Sequence, residues 1–165
     1  MSKEMREEKI IKNEYFNDLK KIKETIKSNQ NKAMIVVNTS MIMNYYEIGM
    51  IINQRKSWGN KYLERLSIDL KEHGSGYSRS NLFYMQKIAS LFTKDEIVQR
   101  CVGLIPWRSL ITIITKCKEH DKIIWYVNET YNNKWSKTLL ENKIKMKSYE
   151  LRLIEKHDNS VISND

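Results

Sequence analysis

The apolar residues in the first third of the chain recur at helical spacing. Between residues 2 and 52 they lie three, four or seven positions apart, proline is absent, and Gly49 is the first glycine. This spacing places them on one face of a helix. The members of this stripe are Ile11, Tyr15, Leu19, Ile22, Ile26, Ala33, Val37, Met41, Tyr45, Ile48 and Ile52.

An unbroken helix over this region would be longer than a small domain can cover. From Glu14 to Asn53 it would measure roughly 60 Å, at ~1.5 Å per residue. We therefore expect part of it to pack on another chain, which indicates self-association through the N-terminal helix. The alternative is a helical hairpin that is broken at the polar residues 28–31.

The rest of the pattern predicts shorter helices separated by turn and capping residues. The expected helices cover residues 60–72, 79–92, 94–98, 106–116 and 120–132, and a last one follows Ser136. Asn60, Ser78 and Thr93, like Ser136, have side chains that cap helix N-termini. Strands are the alternative for two segments, 34–37 and 111–114, because they are rich in apolar and β-branched residues.

Composition narrows the fold class. One proline and five glycines in 165 residues are too few for the many turns of a sandwich or barrel. We expect an all-α, multi-helix domain with a long N-terminal helix and one or two helix-turn-helix units. Its expected parts are a helical extension (1–31), the helical domain (32–153) and a polar tail that frays (154–165).

Basic residues and a helix-turn-helix pattern coincide in one segment. The net charge of the chain is +9, and between residues 73 and 118 only Asp95 and Glu96 are acidic. The predicted helices 60–72 and 79–92 are joined by a turn with two glycines, in the order of a helix-turn-helix. A basic surplus of this kind commonly accompanies polyanionic partners such as nucleic acids.

The second helix of this unit would present a DNA-binding face. With Leu82, Met85, Ala89 and Phe92 buried, its outward side chains are of the types that contact bases, sugars and phosphates. The candidate nucleic-acid-binding residues are Ser78, Arg79, Ser80, Phe83, Tyr84 and Lys87, with Arg108, Ser136 and Lys137 as further phosphate contacts. The alternatives are ordinary bundle packing with a solvated outer face and contact with a protein partner.

A similar pattern occurs further along the chain. Residues 77–82 (YSRSNL) and 135–140 (WSKTLL) both read aromatic, Ser, basic, two residues, Leu. Upstream of each lies a tryptophan, Trp58 or Trp107, that leads into a helix. This fits two related helix-turn-helix units, the second with an extra helix. The alternative is that an aromatic residue before a Ser cap is a common way to begin a helix.

The residues do not form a pattern typical of an enzyme. Triplets of the PD-(D/E)xK nuclease type occur at 18–20, 69–71 and 141–143, but each lies in a predicted helix instead of a strand. Neither Cys101 nor Cys117 has a histidine at a spacing that indicates a nucleophile and its base, and zinc-ligand spacing is absent. We expect no catalysis, no cofactor and no metal site.

The sequence predicts a cytoplasmic protein that does not enter a membrane. The N-terminus is charged throughout, which differs from a secretory signal peptide. Apolar stretches such as 33–37 and 111–114 are too short to span a bilayer.

Six motifs occur in order over roughly residues 32–149. They are Tyr45-Tyr46-Glu47-Ile48-Gly49 with Ile51 and Ile52; Trp58-Gly59 with Leu63, Leu66 and Leu70; residues 76–85 (GYSRSNLFYM); Ile105-Pro106-Trp107; Trp125-Tyr126; and Trp135-Ser136-Lys137 with Leu140, Glu141 and Ile144. In this order they resemble the N-terminal helical domain of the YhcG family of bacterial proteins.

The resemblance implies a helical domain, often taken to bind DNA, that precedes a PD-(D/E)xK nuclease-like domain. The strands and acidic triad of the nuclease half have no counterpart here, so the resemblance transfers no catalytic residue. It implies a non-catalytic double-stranded DNA-binding module that resembles the targeting domain of YhcG-type nucleases.

Two other functions stay open at this point. In a protein-interaction or oligomerisation module, the long helix and Tyr45, Tyr46 and Trp125 would dock a nuclease or another partner. The chain could also be an inhibitor or decoy that mimics the helical domain of a full-length relative. A continuous basic surface that includes Arg79 and Lys87 would favour DNA, whereas an exposed apolar groove would favour a protein partner.

Overall fold

The computed structural model describes residues 1–154, apart from the side chain of Lys56. These residues contain helices and turns but no strand, which confirms the all-α prediction. The helices are α1 (Lys3–Asn53), α2 (Asn60–Asp69), α3 (Arg79–Leu91), α4 (Lys94–Gln99), α5 (Trp107–Lys116), α6 (His120–Asn133), α7 (Lys137–Lys145) and α8 (148–154). Short 3-10 turns lie at Lys56–Trp58, Lys71–His73, Ser75–Tyr77 and Cys101–Leu104.

Two alternatives left open by the sequence are wrong. Residues 34–37 lie in α1 and residues 111–114 lie in α5, so neither segment is a strand. Helix α1 is also continuous through residues 28–31, so the helical hairpin does not form. The reason is that these residues are Ser, Asn and Gln, which lower helix stability by only about 0.5 kcal/mol each, whereas Gly and Pro are absent.

The chain divides into two compact units, Met1–Val37 and Asn38–Asp165. The first unit is the N-terminal part of α1, which includes the predicted extension 1–31. Most of its apolar stripe is exposed, including Ile11, Tyr15 and Ile22. The first unit therefore contains no hydrophobic core of its own.

The second unit has a core built around the C-terminal part of α1. The buried residues of that helix are Ile42, Tyr45, Tyr46, Gly49 and Ile52. Ile42 and Tyr46 belong to a large cluster that extends through α3, α4, α5 and α6 to Leu140 of α7. A second cluster packs Tyr45 and Ile52 against Leu63 of α2 and against α3. The predicted buried stripe of α3 is confirmed, and Ile88 is buried with it.

Helices α1 and α3 approach each other most closely at Gly49. A Cβ atom built on Gly49 would overlap the backbone carbonyl of Met85 and would lie 2.9 Å from the Cβ of Ala89. Nearby, the Nδ2 of Asn53 donates to the carbonyl of Gln86 at 3.3 Å. The missing side chain of Gly49 is therefore what allows the two backbones to meet.

By its length and composition alone, helix α1 is a candidate membrane-spanning helix. One 18-residue window of it has a mean hydropathy of 1.2, and 28% of that window is buried inside the structure. The window exceeds the uninterrupted apolar stretches because it includes polar residues. The C-terminal part of α1 contributes Ile42, Tyr46 and Ile52 to the core, and a single helix of this kind is weak evidence for a membrane span.

The predicted helix caps at Ser78, Thr93 and Ser136 are confirmed. At Thr93 the cap is reciprocal, because Glu96 returns a side-chain bond to the backbone N–H of Thr93. The predicted cap at Asn60 is wrong. Asn60 is the first residue of α2, and the N-cap position is taken by Gly59, whose φ of 73° admits the chain into the helix one residue earlier.

The C-terminal helices pack around Tyr126. This fully buried side chain donates from its hydroxyl to the carbonyl of Lys143 at 3.4 Å and accepts from the backbone N–H of Tyr149 at 3.3 Å. The helix that begins after Ser136 was predicted to be the last one. This is wrong, because α8 follows it. Of the predicted tail 154–165, residue 154 is helical and the others lie outside the described residues.

Helix α8 is joined to α6 by an ion pair that we expect to weaken at both extremes of pH. Lys122 Nζ lies 2.6 Å from Glu150 Oε1. This hydrogen bond lowers the pKa of Glu150 from 4.5 and raises the pKa of Lys122 from 10.5. The contribution of Glu150 is present above about pH 4.5 and is lost as pH falls through its lowered pKa. The contribution of Lys122 is present below about pH 10.5 and is lost as pH rises through its raised pKa.

The effect should be small, about 0.5 kcal/mol, because Glu150 is partly exposed to solvent. Amide hydrogen-exchange protection of residues 148–154, compared between about pH 3 and about pH 6, measures it. A Glu150→Gln variant should give similar protection at both values. If the unsubstituted chain and the variant lose equal protection at low pH, the ion pair does not hold α8.

Candidate nucleic-acid interface

Asn81 joins the first turn of α3 to the first turn of α5. Its Nδ2 donates to the carbonyl of Gly76 at 2.7 Å, and its Oδ1 accepts from Trp107 Nε1 at 2.9 Å. The start of α3 carries Arg79, and the start of α5 carries Arg108. These two arginines therefore lie on helix starts that are tied together by one side chain.

A surface cavity opens between the starts of α2 and α3. It has a volume of about 260 Å³ and is lined by Asn60, Leu63, Arg79, Ser80, Phe83 and Tyr84. A neighbouring cavity of about 200 Å³ shares Asn60, Leu63 and Phe83 with the first and includes Arg55. Each cavity is lined by one arginine and by no carboxylate. The partly exposed ring of Phe83 borders both.

The candidate basic residues differ in how freely they could bind a phosphate. Arg79 and Arg108 are exposed, and neither forms an ion pair within residues 1–154. Lys87 is half-buried. Lys137 Nζ lies 3.7 Å from Glu141 Oε1, so a carboxylate already faces it. The two arginines are thus the cations with all their guanidinium donors available.

Only a few residues of the predicted outward face of α3 are exposed, and most of them lie near the start of the helix. Its exposed residues are Arg79, Ser80, Phe83 and Ser90. Tyr84 is half-buried and packs against the large core cluster. Ser78 and Ser136 are exposed, but the hydroxyl of each accepts a capping bond from a backbone N–H at 3.2 Å. What α3 offers to a partner is therefore mainly its N-terminal turn.

The connection between α2 and α3 is longer than that of a common helix-turn-helix. It comprises residues 70–78 and contains two 3-10 turns, whereas the common turn has about three to four residues. Of the two glycines in this turn, only Gly74 takes a positive φ, at 127°. A Cβ on Gly76 would instead lie 2.6 Å from the hydroxyl oxygen of Tyr45. Gly76 is therefore needed for close packing.

The second helix-turn-helix pattern agrees with the first in its cap and in its buried leucine, Leu82 or Leu140. Ser78 and Ser136 have nearly the same backbone angles, with φ/ψ of −63°/158° and −65°/161°. The upstream tryptophans differ, because Trp58 is exposed in a 3-10 turn whereas Trp107 is half-buried and hydrogen-bonded to α3. Ser136 and Lys137 begin α7, and in the described part of the chain neither bonds to α3.

Several residues of this region were not predicted as binding residues from the sequence. Asn60 and Arg55 line the cavities, and Asn81 and Trp107 connect α3 with α5. The ring of Trp107 also lies edge-on to that of Tyr45, with 4.8 Å between centroids. Their common feature is a partner distant in sequence, which spacing along one helix cannot predict.

An apolar groove also lies on the second unit. It has a volume of about 370 Å³ and is lined by Ile48, Ile51, Ile52, Tyr62, Leu66, Leu70, His73 and Tyr77. The second unit therefore presents two different surfaces, one with unpaired arginines and one that is largely apolar.

Within residues 1–154, the cysteine and histidine side chains are not arranged as a reactive centre. The described residues contain no group of three or more His, Cys, Asp or Glu side chains that could hold a metal ion. Cys101 and Cys117 are free thiols, and burial raises the pKa of Cys117. His120 Nε2 lies 2.7 Å from Glu96 Oε2, so its bonding partner is a carboxylate.

Comparison with protein families places the chain in one of them. Residues 21–151, most of the chain, match the DUF1016 N-terminal domain. The chain belongs to the DUF1016 N-terminal domain family. This family is associated with YhcG-like nucleases, in agreement with the resemblance of the motifs. No curated protein and no solved structure matches the chain.

The part that matches the DUF1016 N-terminal domain contains the complete candidate interface. It begins within α1 and extends into α8. The interface is therefore part of the family's own fold.

Proposed function

We propose that this DUF1016 N-terminal domain binds double-stranded DNA and does so without catalysing a reaction. The observation that carries the proposal is the pair Arg79 and Arg108, which are exposed, form no ion pair with any residue from 1 to 154, and lie on two helix starts that Asn81 connects. Helix N-termini present free backbone N–H groups, and arginine binds phosphate through several donors.

In this mode, α3 would enter a groove by its first turn and not along its whole length. Helix-turn-helix proteins also contact base edges with the N-terminal residues of the recognition helix. Ser80 would bond to a base or phosphate, and Phe83 would contact a sugar or a thymine methyl group. Tyr84 and Lys87 would flank the groove, and Ser136 and Lys137 would lie against more distant phosphates.

The test is binding of the purified chain to a random-sequence duplex over a series of salt concentrations. Replacing both Arg79→Ala and Arg108→Ala should weaken binding at every salt concentration. If each arginine neutralises one phosphate, the slope of log K against log salt should become shallower by about 1.8, since each phosphate contact contributes about 0.9.

A matched control removes the same charge elsewhere. Arg6→Ala with Lys12→Ala alters two exposed residues of the first unit and should leave the slope nearly unchanged. Equal slopes for the two double variants would show that net charge alone attracts DNA. Absence of binding by the unsubstituted chain at low salt would refute DNA binding altogether.

The second candidate function is docking of a protein, and the observation that favours it is the apolar groove beside Leu66 and Leu70. A YhcG-type nuclease domain encoded separately is the partner that the family association suggests, and the cytoplasm is the compartment we propose for either function. If the chain fails to bind DNA, an Ile51→Asp variant that loses capture of such a nuclease domain would support this second function.

A further inference from the structure

Seven positions of the first unit form a heptad stripe with strict spacing, and five of them belong to the apolar stripe of α1. Its positions alternate by four and three residues and are Tyr15, Leu19, Ile22, Ile26, Asn29, Ala33 and Val36. Helix α1 is continuous over all of them. Alternation of this kind places Leu19, Ile26 and Ala33 at the a positions of a coiled coil, and the other four residues at the d positions.

Most apolar members of this heptad stripe are open to solvent, and Leu19 is half-buried. Tyr15, Ile22, Ile26 and Val36 keep 61%, 56%, 50% and 64% of their surface exposed. The first unit is a single helix, so it has no second element that could cover them. A helix with an apolar stripe of three heptads normally buries it against another helix.

We propose that residues 15–36 form a parallel, in-register coiled coil with the same residues of further copies of this chain. Asn29 indicates that the partner helix is a second copy of this chain and that the two helices run parallel. In a parallel, in-register coil, Asn29 faces its own copy, and the two amides can bond to each other. In an antiparallel coil, a d residue opposes an a residue, so Asn29 would face Leu19, Ile26 or Ala33 and its amide would lose its hydrogen bonds.

The charges beside the stripe favour the same direction. Asp18 lies at a g position and Lys23 at the e position five residues later. In a parallel coil these two positions of neighbouring helices come into contact, so opposite charges would meet. Both side chains are exposed, and neither forms an ion pair within the described residues.

The first experiment measures the mass of the chain in solution over a concentration series, without DNA. We expect a multiple of the mass of one chain. Ile22→Asp with Ile26→Asp should raise the dissociation constant about hundredfold or more, because two buried aliphatic side chains per helix are lost. Met34→Asp, also exposed but at an outer b position, should leave the assembly intact.

Both substituted isoleucines are exposed in the single chain, so the second unit should keep its fold, and circular dichroism checks this. A chain that stays monomeric at every concentration overturns the proposal. So does an assembly that the two aspartates leave unchanged. Because no DNA is present, these outcomes are independent of the proposed DNA binding.

The second experiment tests direction and register by disulfide formation. In a Cys101→Ser background, where Cys117 is the buried remaining thiol, Ile22→Cys at another d position should cross-link rapidly with its own copy. Met34→Cys should cross-link slowly, because b positions face outward. Rapid cross-linking between a Tyr15→Cys chain and an Ala33→Cys chain would show an antiparallel coil and overturn the proposed direction.

Discussion

Gly49→Ala is expected to destabilise the second unit by about 1–3 kcal/mol, as overpacking of a close contact does. In an exposed helix, the same substitution stabilises by about 0.5–1 kcal/mol. The sign reverses here because the added methyl group would overlap the carbonyl of Met85 and lie 2.9 Å from the Cβ of Ala89. These atoms belong to the backbone or are fixed to it, so no rotamer change relieves the overlap. Helices α1 and α3 would have to separate.

Chemical denaturation monitored by circular dichroism measures this effect. Ser40→Ala is the matched control, since Ser40 is exposed on the same helix. Its replacement should leave the free energy of unfolding unchanged or raise it slightly. If Gly49→Ala is as stable as the control, the two helices do not approach each other as closely as the structure indicates.

Asn81→Ala is expected to lower the free energy of unfolding by about 2 kcal/mol. The substitution removes the hydrogen bonds to the Gly76 carbonyl and from the Trp107 indole, each worth about 0.5–1.5 kcal/mol. Both partner groups then have to bond to water instead. The start of α5 would then lose its attachment to α3. We expect an earlier denaturation midpoint together with a shift in the fluorescence of Trp107.

The adjacent Ser80 provides the control, because it is exposed and Ser80→Ala should leave stability nearly unchanged. The substitution at Asn81 also distinguishes how the position of the helix starts affects DNA binding from how their positive charge affects it. It removes no cation, so DNA affinity should fall while the salt slope changes much less than with Arg79→Ala and Arg108→Ala. Full DNA affinity in a destabilised Asn81→Ala variant would mean that the two helix starts bind independently.

The caps and most helix limits could be predicted because they depend on neighbours within one turn. Ser78, Thr93 and Ser136 each accept a bond from a backbone N–H three residues later, and such bonds are visible in residue spacing. Asn60 misled for a local reason as well. The positive φ of Gly59 moved the cap by one position, and a sequence does not show which of two adjacent residues takes the cap.

The candidate interface depends on contacts that spacing does not contain. Asn81 reaches Trp107 across 26 positions, and Lys122 reaches Glu150 across 28. Tyr84 and Lys87 were placed on an outward face by helical periodicity, but other helices partly cover that side of α3. Periodicity defines one buried stripe per helix and cannot tell how far neighbouring elements extend beyond it.

The turn that begins α3 has a consequence for how relatives of this chain can diverge. Within residues 76–85, Ser78 and Asn81 hold the turn, and Leu82 and Met85 fill the core. Arg79, Ser80 and Phe83 stand between them. Within residues 1–154, none of the three caps a helix or belongs to the buried core, and the ring of Phe83 lies edge-on to that of Tyr84 at 5.8 Å. A family built on this frame can exchange those three side chains, and with them its ligand, while the frame persists. Under the proposed DNA binding, we expect shared letters in this motif to reflect common architecture, and differences at residues 79, 80 and 83 to change what each member recognises.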